Sequence, residues 1–155
     1  MAGTIEARLK SLSIELPQAG APAANYVPFR RSGNLIFIAG QVCQWNGERR
    51  YLGRVGGDIS IEDGVAAARL CGLNLIAHVK NACGGDLDRV VQCIRLGGFV
   101  NSAPDFFEQP KIVNGCSDLM VEVFGDAGRH ARTAVGAQLP FNVAVEVDGI
   151  FEIRD

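Results

Sequence analysis

The chain has 155 residues, of which 48% are hydrophobic and 21% charged, a balance that gives a single soluble globular domain and excludes disorder. Its net charge of −2 and pI of about 5.7 argue against a general electrostatic grip on nucleic acid or anionic membrane. No apolar run approaches the ~18 residues that would span a bilayer. The five cysteines (Cys43, Cys71, Cys83, Cys93 and Cys116) are odd in number and form no Cys-x-x-Cys pair. Their neighbours are mostly apolar, so they read as buried free thiols of a reducing compartment rather than a zinc site or a disulfide framework. The N-terminus lacks a basic segment followed by an apolar stretch, and a cytoplasmic location is expected.

Thr4 is placed to cap a first helix, with Ile5, Leu9, Leu12 and Leu16 at helical spacing and Pro17 as its stop. A Pro/Ala/Gly linker follows, so residues 1–24 read as a helix with its linker and residues 25–155 as the main domain. Val27–Arg31 and Leu35–Ala39 read as strands around Ser32-Gly33-Asn34. Gln41–Trp45 and Arg49–Val55 flank Asn46-Gly47, a dipeptide that accepts the positive φ of a hairpin turn. Ser60 with Asp63 resembles a capping box before a long helix, Ile61–Ala82, which Gly84-Gly85 stop. Val90–Val100 is a strand, Lys111–Phe124 a second long helix, and Thr133–Gln138 and Val143–Ile153 two further strands. The fold class is therefore α+β: a mixed sheet with two long helices on one face and a short N-terminal helix. The other face is left open, and a symmetric oligomer is the simplest way to cover it. The mean hydropathy of +0.14 points weakly the same way.

Dinucleotide, Walker, zincin and nucleophile-elbow signatures are absent from the sequence. His78 is expected at the surface or edge of its helix, and His130 lies in a turn, at most supporting a site. Arg30, Arg31, Arg49, Arg50 and Arg54 form two basic clusters that read as solvated turn ends. Arg132, at a strand start, and Glu146, inside an apolar strand, need partners. A salt bridge between them, or snorkelling to solvent, is the reading that composition favours. Gly40 ends an apolar strand, where close backbone approach or a bulge is expected. Tyr26 offers a phenol to a cleft, or its ring to the core.

Asn34–Gln41, Arg132-Thr-Ala-Val with Leu139-Pro140, and Val145-Glu146-Val147 stand in the order and spacing of one family. Over roughly Tyr26 to Ile153 the chain resembles the YjgF-like, or reactive intermediate deaminase (Rid), family. It is most similar to a branch with an extra N-terminal helix. The resemblance implies a chorismate-mutase-like fold and a homotrimer with clefts between subunits. It implies hydrolysis of reactive enamines and imines of amino acids to 2-keto acids and ammonia, with no metal or organic cofactor. By position, Arg132 would bind the substrate carboxylate, and Glu146 would position water or stabilise the iminium. Gly40 would offer a backbone contact, Tyr26 would line the cleft across the interface, and Asn114 would line it as well.

Two positions depart from the pattern. Ala39 stands where deaminating members usually carry serine, and Ala134 where many carry cysteine. Both thin the polar lining of the cleft, so non-catalytic binding of a small carboxylate or keto acid is the alternative expectation. An endoribonuclease activity, attributed to some members, is a distant third. The acidic pI and the lack of stacking aromatics weigh against it.

Overall fold

A computed structural model describes residues 3–22 and 24–155. Along them run α1 (Thr4–Ser11), β1 (Phe29–Ser32), β2 (Leu35–Val42), β3 (Gln44–Trp45), β4 (Glu48–Arg49), α2 (Ile61–Ala82), β5 (Val90–Val100), α3 (Gln109–Phe124), β6 (Ala131–Gly136) and β7 (Val145–Ile153). The main sheet has the order β1-β2-β7-β5-β6, and β3 and β4 form a separate hairpin. Only β5 and β6 pair in parallel in the main sheet. The class is α+β, with the two long helices on one face.

Strand β7 shows why the layers form. Val145, Val147, Gly149, Phe151 and Ile153 are buried, and each residue between them is half-buried. That period of two gives the strand one covered face. The covered face meets the helices, and the rings of Phe124 and Phe151 pack edge-on with centroids 6.2 Å apart. Leu75, Ile76, Ile112, Leu119 and Phe151 have no exposed surface. Each such side chain stabilises the fold by roughly 1.5–3 kcal/mol over leaving it in water. Gly115 of α3 lies against the Val65 carbonyl of α2, where a Cβ has no room, so the helices approach backbone to backbone. All five cysteines are buried free thiols, and burial pushes Cys93 up to about 12.

The opposite face carries Phe37 and Val135, both exposed, with Phe99 and Ile150 half-buried beside them. Cross-strand register joins these residues: Phe37 faces Ile150, and Phe99 faces Val135 and Glu146. Arg95 crosses the same surface, pairing with Asp148 at 3.8 Å and donating to Thr133 Oγ1 at 3.2 Å.

The long helix starts as its sequence predicts, with Ser60 Oγ accepting the Asp63 N–H at 3.1 Å. The N-terminal helix differs. Thr4 is its first residue, not its cap, and the capping oxygens come from Asp88. That carboxylate accepts the N–H groups of Thr4 at 2.8 Å and Ile5 at 2.9 Å. The helix also ends at Ser11, short of Pro17, as Ser13 turns to φ 55°. Leu9 is buried and Leu16 packs on the core from the loop, whereas Leu12 is exposed. The expected strand Arg49–Val55 is also cut short. Tyr51 at φ 57° and Gly53 at φ 131° break the extended backbone, leaving β4 only two residues long.

Candidate functional site

Register decides where the two charged residues of interest point. On β5, Leu96 pairs with both Arg132 and Gly149, while Phe99 pairs with Glu146. Residues paired across strands share a face. Arg132 therefore lies on the helix side with Leu96, and Glu146 lies on the open side with Phe99. Two strand spacings and three residues of rise put their Cα atoms roughly 14 Å apart. No salt bridge joins them, and a single chain does not bring them to one ligand.

Arg132 stands in a cluster built by α3 and β6. Its Nη1 donates to Asn114 Oδ1 at 2.8 Å and to Ser117 Oγ at 3.1 Å. Ser117 Oγ lies 2.9 Å from His130 Nε2, and His130 Nδ1 lies 2.6 Å from the Gly128 carbonyl. A carbonyl only accepts, so Nδ1 carries a proton, and in neutral His130 Nε2 accepts the Ser117 hydroxyl. The hydroxyl then keeps its lone pairs for Arg132. Among the described residues nothing bonds to Nε or Nη2 of Arg132, so the side edge of the guanidinium remains open. That edge can give two parallel hydrogen bonds to a carboxylate. The cluster borders a cavity of about 290 Å³ with Asp118, Val121 and Arg129. Ala134, two residues on, is half-buried on the same side of β6 as Arg132.

Tyr26, Ala39, Gly40 and Glu146 meet elsewhere, around a cavity of about 230 Å³. The strand β2 changes register between Ile38 and Gln41, and this bulge turns Ala39 and Gly40 toward the cavity. Glu146 lies directly over Gly40, where a Cβ would occupy the place of its carboxylate. Burial, and then the charge of Asp148, raise the Glu146 carboxyl above the usual 4.5. Tyr26 is half-exposed at the rim.

Sequence reasoning missed part of this second wall. Gly20, Ala21 and Pro22 of the linker line it, as do Arg49, His78 and Phe141. His78 is 2% exposed, not at the helix surface. Burial lowers its pKa below 6.5, and its Nδ1 has no hydrogen-bond partner. The Pro-rich composition of the linker marks a loop but carries no sign of what the loop touches. Ser117, one turn beyond Asn114 on α3, was legible only once Arg132 had been placed beside it. Among the described residues, no group of three or more His, Cys, Asp or Glu is arranged to hold a metal ion.

The molecule is an α+β layer with its two long helices on one face of the sheet and the other face bare. Residues 6–150 match the family described as "YjgF/chorismate mutase-like, putative endoribonuclease", and the chain belongs to that family. The chain is 45% identical over 155 residues to Protein TCP17 of Trypanosoma cruzi, covering 99% of this chain and 96% of that protein. It resembles the crystal structure of Atu1372 from Agrobacterium tumefaciens, a protein of unknown function. The identity is 47% and the TM-score 0.89, over 97% of this chain and 94% of that one. A "putative endoribonuclease" from Shewanella oneidensis matches at 38% identity with a TM-score of 0.93, over 97% of this chain and all (100%) of that one. No helix of the described residues is long and apolar enough to cross a membrane.

Proposed function

We propose that the chain hydrolyses enamine and imine intermediates of amino acids to 2-keto acids and ammonia, in clefts between the subunits of a homotrimer. The observation that carries this reading is the open Nε/Nη2 edge of Arg132, held by Asn114 and Ser117 on one face of the sheet while Glu146 waits on the other. Each chain supplies two half-sites, and the apolar open face around Phe37, Phe99, Ile150 and Val135 is the surface that brings copies together.

In the assembled cleft Arg132 of one subunit clamps the substrate carboxylate. The neighbouring subunit supplies Glu146, the backbone at Gly40 and the Tyr26 rim. Glu146 holds a water against the imine carbon and favours the cationic iminium. Water adds to that carbon to give a carbinolamine, a proton moves to nitrogen, and the C–N bond breaks to release ammonia and leave the carbonyl. Positioning and charge carry the rate, because the imine is already electrophilic. The protein works without a metal or organic cofactor, in the cytoplasm.

Ala39 and Ala134 favour a second reading, in which the same clamp holds a small carboxylate or keto acid without turnover. Endoribonuclease action is a weaker third reading. It comes from the names of relatives, and it lacks a basic groove in a chain of net charge −2.

The test uses imines made in situ by an amino-acid oxidase, with ammonia and keto acid as readouts. Arg132→Ala and Glu146→Ala should each abolish acceleration. Mixed oligomers formed by co-refolding the two variants should recover about a quarter of wild-type activity, because one shared site in four keeps both residues under random assembly. Recovery absent from demonstrably mixed oligomers refutes the shared cleft. Wild-type protein that binds keto acids but accelerates no imine moves the assignment to the binding reading.

A further inference from the structure

The cavity that holds Glu146 has a second charged wall, made by Arg49 and Phe141. The Arg49 guanidinium lies 3.5 Å from the centre of the Phe141 ring. A guanidinium stacked on a ring keeps its donors in one plane, with their edge turned outward to acceptors. No Asp or Glu pairs with Arg49 among the described residues. Its neighbour Arg50 takes Glu48 at 4.0 Å, and Glu146 across the cavity does not reach it. Arg49 and Phe141 are both exposed, so this is a positive charge at the cavity's rim, with no carboxylate partner among the described residues.

The platform is built rather than incidental. Phe141 and Asn142 have φ of 60° and 58°; asparagine adopts this left-handed backbone readily, whereas phenylalanine keeps it only where its surroundings impose it. Those surroundings are visible. Asn142 accepts the Gly53 N–H through its carbonyl at 2.8 Å and Asn101 Nδ2 through its side chain at 3.1 Å. The hairpin carrying Arg49 is braced on the other side. Its turn residue Asn46 accepts the Gln18 N–H at 2.8 Å, and the Arg50 N–H donates to the Cys43 carbonyl at 2.9 Å. Linker residues Gly20–Pro22 close the same cavity next to Gln44.

We propose that Arg49, seated on Phe141, is a second anion subsite, so that the preferred ligand is a 2-imino or 2-keto acid carrying a further carboxylate on its side chain. This inference rests on the reading of the cleft given above. The first carboxylate is held by Arg132 of the neighbouring subunit, the reacting carbon sits at Glu146, and the side-chain carboxylate reaches Arg49. A monocarboxylate fills the first two positions only and leaves Arg49 without a partner.

Titration calorimetry on the full chain tests this with two probes, 2-oxobutanoate and 2-oxoglutarate, which carry one and two carboxylates. Wild type should bind the dicarboxylate about tenfold more tightly, the size expected for one added charge-assisted hydrogen-bond pair. Arg49→Gln should bring the ratio of the two affinities to about one, and Arg49→Lys should keep part of it. A wild-type ratio near one, or a ratio that survives Arg49→Gln, overturns the subsite. Arg132→Ala separates this inference from the reading beneath it, since both affinities should fall together. If Arg132→Ala changes neither affinity while Arg49→Gln still removes the preference, the subsite stands and the Arg132 clamp fails. If wild type binds neither acid, both fail.

Discussion

Gly40→Ala probes the link between the β2 bulge and the carboxylate at the centre of the cleft. The backbone of Gly40 is outside the left-handed region, so alanine meets no conformational penalty there. The cost falls on Glu146, whose carboxylate occupies the space the new methyl needs. The colliding atoms are the free end of a flexible side chain that borders a cavity, so the cost lies at the low end of overpacking, about 1 kcal/mol. At roughly 2–4 °C per kcal/mol for a domain of this size, Tm should fall by about 2–4 °C. The decisive experiment is a double-mutant cycle of Gly40→Ala and Glu146→Ala, read by thermal unfolding at fixed protein concentration. With Glu146 shortened, the added methyl should cost less than ~0.5 kcal/mol. On the proposed deaminase reading, activity should fall about a hundredfold in Gly40→Ala alone, the penalty of displacing a positioned carboxylate by about 1 Å. Additive losses in the cycle would refute the reasoning, because they would mean that residue 40 is glycine for a reason unrelated to Glu146.

Three further outcomes are expected. Ser117→Ala removes an acceptor from Arg132 and the partner of His130, so KM should rise about fivefold with little change in kcat, and Ser117→Thr should restore it. Glu146 is raised above 4.5 by burial and then by Asp148, so activity that needs its carboxylate should decline as pH falls through a midpoint above that value. Asp148→Asn removes the like charge and should move that midpoint downward. Hydrogen bonds from Ile5 and Thr4 hold Asp88 below its usual 3.8, so its support of α1 is present above that value and is lost as pH falls below it. Asp88→Ala should remove hydrogen-exchange protection from the α1 amides and leave the β5 amides protected.

The long elements were legible because local signals and periodicity agreed. Ser60, the apolar stripe behind it and Gly84-Gly85 bound α2 at the predicted residues, and β5 runs over its predicted span. The elements that slipped depend on distant atoms. The start of α1 is capped by a residue far along the chain, and the segment after β4 is bent by a left-handed Tyr51 that no rule of composition marks. His78 was misplaced because one polar residue among Ile76, Ala77 and Val79 gives no indication of which face it shares. In the candidate site, Arg132 and Glu146 stood out as charges at a strand start and inside an apolar strand, and Asn114 came only from the resemblance. The division of the two charges between two faces was not legible, since it follows from pairing with β5. Arg49 and Phe141 lie far apart in sequence, and only the fold brings them together.

The cap on α1 also has a consequence for the order in which the chain assembles. A helix of eight residues does not nucleate alone in water, and this one finds its capping oxygens only when Asp88 is already in place. That contact spans 84 residues, so the helix forms with, and not before, the packing of the segment that carries Asp88. The N-terminal helix is therefore held by the rest of the fold rather than by its own sequence. Because its linker forms one wall of the cavity at Glu146, the shape of that cavity depends on a contact made at the far end of the molecule's N-terminal helix.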